Sequence, residues 1–364
     1  MNLLFASALL VLMNPTLSMP QIIEKGEPDW QMIKHNSTAS FRGVYMTPNA
    51  PYVWVSGSQG TVLRSADGGQ SWADVSPENA DNFDFRDIHG FTGGEQAVAL
   101  AVGSPARIYR TTNQGREWQV VYQDTRPEIF LDAMAFWNDQ EGIAFGDPIH
   151  GKIVILRTSD SGQSWQEIPQ DQQPDALENE GGFAASGTCL ALRGEKSVVI
   201  GLGGARKDEQ PEDARILISQ DRGKTWQAKT APLASGAASG VFSIVFVDQQ
   251  NGVAVGGTYD RPDIRTGNVA ITQDGGDLWK RPNQSPGGYR SCVVAFDRPS
   301  DGKHYLIALG KTGADISNDL GNTWHAFSSR GFFAASVGND GKTLVAVGSE
   351  GRIGVLSLRT LTLD

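Results

Sequence analysis

A chain of 364 residues with 43 glycines, 17 prolines and 39% hydrophobic residues has the length for one large, turn-rich domain and too little apolar content for an integral membrane protein. Its formal net charge of -10 argues against a general nucleic-acid binder. Its two cysteines, Cys189 and Cys292, are too few for a disulfide scaffold, and both fall in strand-like segments where buried free thiols are expected.

Residues 1–19 stand apart from the rest. Leu3 to Met13 is an apolar run ended by Asn14 and Pro15, with Ser18 as a small residue beside a cleavage point. This is the pattern of a short secretory signal peptide, although no Lys or Arg precedes the run. The run is too short for a stable span, and no cysteine follows it to carry a lipid. The expectation is an exported chain, periplasmic or extracellular, with no integral membrane segment in its mature part. Trp30-Gln31-Met32-Ile33 then reads as a strand of the same kind as Trp118-Gln119-Val120-Val121 and Trp165-Gln166-Glu167-Ile168, but no strands of its own unit precede it.

From residue 41 onward the segments repeat. An inner strand is expected at residues 41–46, 85–90, 130–136, 183–188, 242–246, 289–294 and 332–337. Each is followed by a second strand such as Ile143-Ala144-Phe145-Gly146, Val253-Ala254-Val255-Gly256 or Val345-Ala346-Val347-Gly348, whose near-continuous apolar character fits a strand covered on both faces. Then comes a polar turn. Ser65-Ala66-Asp67-Gly68-Gly69-Gln70-Ser71-Trp72 recurs as residues 111–118, 158–165, 219–226, 272–279 and 317–324. The tryptophans Trp72, Trp118, Trp165, Trp226, Trp279 and Trp324 are 46, 47, 61, 53 and 45 residues apart, a period that suits four short strands per unit.

In each turn a hydroxyl and an acidic or amide side chain, Asp67, Asn113, Asp160, Asp221, Asp274 or Asp319, can bond turn backbone, while glycine supplies positive φ and the tryptophan opens the next strand. Six such carboxylates or amides spread round a ring cannot converge on one substrate, so their role is structural. The seventh unit, about residues 332–358, lacks this turn and its outer strand. Placing residues 30–33 beside residues 353–358 completes it and ties the chain ends together. The reading is an all-β fold, a seven-bladed β-propeller over residues 20–364, closed by an N-terminal outer strand.

The six turns resemble the Asp-box, or BNR repeat, of sialidases and related propellers. With the Ala-Val-Gly second strands, the seven units and the closing strand, residues 28–360 resemble the photosystem II stability and assembly factor family, which has homologues in bacteria that lack photosynthesis. The resemblance implies a monomeric, non-catalytic lumenal or periplasmic scaffold that binds a protein or peptide partner, such as a membrane protein under assembly, with no cofactor and with a basic patch contributing. In a photosynthetic host it implies the thylakoid lumen.

Arg42, Arg86 and Arg290 each follow the aromatic residue that opens an inner strand, with Leu131, Ala184, Ser243 and Phe333 at the corresponding places elsewhere. Unpaired, they would focus positive potential at the axial channel; the alternative is that they pair with Asp87, Asp132 or nearby carbonyls. The enlarged connections are residues 146–151, 170–182, 203–215, 230–240 and 258–268, all on the face opposite the Asp-boxes. Their charged residues Asp147, Glu180, Arg206, Lys207, Arg215, Arg261 and Arg265 make that face the candidate recognition surface. The enzymatic alternative is glycoside hydrolysis of the sialidase kind. Against it, Phe41-Arg42-Gly43-Val44 lacks the Arg-Ile-Pro signature, and no tyrosine–glutamate pair can be assigned. The five histidines show no zinc spacing, and residues 201–205 lack the Lys and following helix of a phosphate loop.

Overall fold

The computed structural model of the protein describes residues 27–204, 213–298 and 301–361. Residues 1–19, where a signal peptide is expected, lie outside them, as do Arg206 and Lys207. Seven antiparallel sheets are stacked round an axis. Blade 1 shows the plan, with strands Phe41–Met46, Val53–Gly57, Val62–Ser65 and Ala73–Asp74 running outward in that order. The inner strands of the next blades are Phe85–Gly90, Leu131–Phe136, Leu190–Arg193, Ser239–Phe246, Cys292–Arg298 and Ala334–Val337. Each packs beside the next, and that of blade 7 packs beside that of blade 1, closing the ring.

Closure is made by the N-terminal strand Gln31–Met32, which pairs antiparallel with Ile353–Ser357, Gln31 opposite Val355 and Met32 opposite Gly354. Trp30 anchors it. Its ring is buried 4.7 Å from that of Phe332, and its Nε1 donates to Ser328 Oγ at 3.2 Å. The core lies in the spaces between blades, so the second strands are sandwiched: every residue of Val53–Gly57 and Ala97–Ala101 is buried. That double covering explains why these strands are apolar throughout rather than alternating.

Each Asp-box glycine also touches the preceding blade. Gly69 has φ 95°, and a β-carbon there would lie 3.1 Å from Val355 and 3.3 Å from Val345 of blade 7. Glycine thus serves both the left-handed backbone and the close approach. The Asp-box loops share one face with the turns between first and second strands: the Gln114, Ser161, Arg222 and Gly275 amides donate to the carbonyls of Glu95, Gln140, Lys196 and Gln250.

Several expectations need correction. The inner strand of blade 4 is Leu190–Arg193, not residues 183–188, and that of blade 6 begins only at Cys292. Residues 146–151 are a lengthened hairpin, with strand continuing to Ile149 and a turn at His150-Gly151. Much of residues 230–240 is strand too, within Gln227–Ala234 and Ser239–Phe246. Blade 5 has almost no outer strand: Lys280 alone bridges to Ile271 before Pro282 ends the pairing. At its inner end the same sheet gains Glu180–Gly181 and Gly203–Gly204.

Candidate binding face and its axial channel

The Asp-box aspartates are fully engaged with their own turns. In the third box Asp160 Oδ1 accepts from Thr158 Oγ1 at 2.8 Å and from the Ser164 amide at 3.0 Å, while Oδ2 accepts from Ser164 Oγ at 2.6 Å. Hydrogen bonds from Ser71, then Ser65, hold Asp67 at about 2, below the ordinary carboxylate range. At Asp221 slight burial works the other way, but bonds from Thr225, Ser219 and Lys224 prevail and hold it at about 2. These carboxylates are committed to backbone and hydroxyl donors.

At the opposite face, backbone bulges decide which side chains reach the axis. In blades 1, 2, 3 and 5 the pairing register slips across one residue at the start of the inner strand, at Arg42, Arg86, Asp132 and Phe242. Arg290 does not belong to this set. It precedes Cys292–Arg298, is buried, and forms an ion pair with Asp315 in which Nε lies 2.7 Å from Oδ2, with Nη1 donating to the Tyr289 carbonyl at 2.8 Å. Arg86 is paired as well, with Asp84 at 2.7 Å, and donates to the Ala184 carbonyl at 2.9 Å. Arg42 lies over the Phe333 ring at 4.3 Å and donates to the Ala185 carbonyl at 3.4 Å. The three arginines therefore do not form an unpaired cluster, and Asp87 and Asp132 are not their ion-pair partners.

Residues 182–188 run across the axis. Phe183 stacks on Phe242 of blade 5 at 3.9 Å between ring centroids. The Ala184 and Ala185 carbonyls meet Arg86 and Arg42 of blades 2 and 1. Ser186 Oγ donates to the Ser291 carbonyl of blade 6 at 2.8 Å, and Thr188 Oγ1 reaches Ser243 Oγ at 2.7 Å. Three carboxyls of blades 2 and 3 abut the crossing: a β-carbon at Gly181, Gly182 or Gly187 would collide with Asp147, Asp132 or Asp87. Burial pushes Asp87 up to about 8 and raises Asp147; burial and then the charge of Asp147 raise Asp132 well above its ordinary range.

The enlarged connections of blades 3 to 5 interlock around this crossing. Arg215 Nη1 lies 3.1 Å from Glu180 Oε2, in a pair that is nearly buried, and its Nη2 donates to the Asp175 carbonyl at 3.2 Å. Asp147 Oδ1 accepts from the Gly182 amide at 3.0 Å. Ser235 Oγ donates to the Gly204 carbonyl at 3.0 Å, and the Ala234 and Tyr259 amides donate to the carbonyls of Gly267 and Ala238. Asp147, Glu180 and Arg215 are thus brought together, whereas Arg261 and Arg265 are exposed on the adjoining blade 5 loop beside Tyr259, which is 44% exposed. The crossing itself was missed by sequence reasoning. Its signal was the small-residue run Gly181-Gly182-Phe183-Ala184-Ala185-Ser186-Gly187, unlike any other inner-strand segment. Among the described residues no group of three or more His, Cys, Asp or Glu is placed to hold a metal, and no helix is long and apolar enough to cross a membrane.

Fold and turns together define the class: a seven-bladed Asp-box β-propeller with a filled axis. The family model described as photosynthesis system II assembly factor YCF48 matches residues 23–129, from the closing strand through blade 2. Over those residues the chain is similar to this family, and its seven blades and six Asp-box turns are the architecture it shows. Among solved structures, "YCF48 bound to D1 peptide" is similar at 16% identity and a TM-score of 0.60, covering 94% of this chain and 99% of that one. YCF48 from Cyanidioschyzon merolae is similar at 16% identity and a TM-score of 0.62, covering 90% and 98%. The WD40 repeats of RRP9 superpose equally well, with a TM-score of 0.62 at 11% identity over 92% and 99%, so these superpositions speak for the fold alone. No curated protein matches the sequence.

Proposed function

We propose that the protein is an exported, non-catalytic binding scaffold, an assembly-factor-like propeller that takes a protein or peptide partner on the face bearing the connections of blades 3 to 5. The observation that carries this reading is the interlocking of those connections, through Arg215–Glu180 and Asp147–Gly182, beside the exposed Arg261 and Arg265. The YCF48-type match and the D1 peptide named with a similar structure make a segment of a membrane protein under assembly the partner of choice. The apolar run ahead of residue 19 supports export to a periplasmic or lumenal compartment.

The test is titration of a D1-derived peptide against the parent chain and an Arg261→Glu/Arg265→Glu variant, beside a panel of sialosides and other glycosides. The reading expects binding that weakens with salt and falls at least about tenfold in the variant, with no glycoside turned over. Equal affinity in parent and variant removes these residues from the surface, and robust turnover overturns the non-catalytic reading.

A further inference from the structure

The crossing segment is built to depend on the protonation of the carboxyls beneath it. Asp132 is fully buried, and neither of its oxygens closes a hydrogen bond, although the Ala184 amide is turned towards it. The charged and titratable groups around it are Asp147 from the second strand of blade 3, Arg86 from blade 2, and Cys189, whose thiol also senses Asp87. Arg86 already serves Asp84, so it offers Asp132 incomplete compensation. Asp87 is held by the Ile88 and Met134 amides at 2.8 Å each and faces Gly187. Arg42, with Arg86, Tyr289 and Asp84 around it, faces the far side of the segment, and Glu180–Arg215 pins its entrance.

We propose that residues 181–187 form a pH-set latch: seated across the axis while the carboxyls of Asp132, Asp147 and Asp87 are protonated, and unseated by their ionisation, which frees the guanidinium donors of Arg42 and Arg86 now capped by the segment's carbonyls. The glycines supply the close fit, and Asp132, fully buried against Gly182 with neither oxygen bonded, would be left uncompensated on ionisation, whereas Asp87 and Asp147 have amide donors. The sign follows from linkage. Unseated, these carboxyls regain water and give up their protons more readily; seated, they hold them to higher pH, so the seated state is favoured in acid and weakens as pH rises. Asp87, at about 8, places the loss in the neutral to mildly alkaline range. The inference concerns the chain alone and does not depend on a partner being found.

The experiment is hydrogen–deuterium exchange of peptides spanning residues 176–190 in the full chain, from about pH 5 to about pH 9, corrected for intrinsic exchange. Protection in the parent is expected to fall by up to about tenfold per pH unit for each proton released, while the second strand of blade 5, Gly252–Thr258, stays protected. Asp132→Asn, which cannot ionise, should make the dependence shallower by the proton it no longer releases, and Gly182→Ala should leave the segment open already in acid. Protection independent of pH in the parent overturns the latch without need of any variant. An Asp132→Asn profile as steep as the parent's removes Asp132 from it.

Discussion

Within the Asp-boxes, single residues show how the turns were built and where they tolerate exchange. Five boxes place a carboxylate at the hub, and in four of these a hydroxyl four residues on donates to it: Ser71, Ser164, Thr225 or Thr323. The second box reverses the polarity, for Asn113 Nδ2 donates to Glu117 Oε2 at 3.2 Å while its Oδ1 accepts from the Glu117 amide at 3.0 Å. Asn113→Asp should therefore set two carboxylates against each other and cost about 1 kcal/mol. Adding Glu117→Ser should restore the arrangement of the other boxes and recover most of the loss. Urea midpoints of the two single variants and the double variant test this coupling; strictly additive changes would contradict it. Asp160→Ala removes a hub outright and should lower stability by about 1–2 kcal/mol while leaving any partner affinity unchanged in folded protein. A fully stable Asp160→Ala protein that no longer bound its partner would instead make the turns functional.

At the scale of strands, the closing strand carries the most exposed dependence. Trp30 is buried against Phe332, and Glu27 Oε2 accepts from Ser328 Oγ at 2.7 Å, so the chain before residue 33 is bound to blades 6 and 7. Truncation of residues 20–33 should uncover the edge of Ile353–Ser357, and Trp30→Ala alone should cost about 3–5 kcal/mol. The check is the urea midpoint together with the mass in solution: unchanged stability and a monomeric truncated chain would contradict the closure.

The repeat made the blades and the closing strand legible, since turns with a fixed tryptophan and apolar second strands recur whatever the blade's function. The axis was less legible because a one-residue bulge changes which side chain points inward. Aligning Arg290 with Arg42 and Arg86 by the preceding aromatic ignored the later start of its strand, which turns it onto Asp315. Residues 183–188 likewise look like an inner strand from Phe183 onward, and only the register of Leu190 opposite Ile200 shows that the strand starts later and leaves the segment free to cross.

On the scale of the molecule, the two faces use their charges differently. On the Asp-box side, arginines fasten neighbouring blades: Arg64 to the Gly94 carbonyl, Arg110 to that of Ser161, Arg193 to that of Gly275, and Arg222 to Glu141. Those cations hold the ring. On the other side, the connections of blades 3 to 5 interlock above a channel closed by residues 182–188, with Arg261 and Arg265 exposed at the rim. On the proposed reading, one face of the ring serves structure and the other recognition. The direct test is a hydrogen-exchange footprint of the full chain with and without a bound partner peptide. New protection confined to residues 175–188, 234–240 and 258–268 is the predicted result; protection over the Asp-box turns, with those three segments unchanged, would contradict the account.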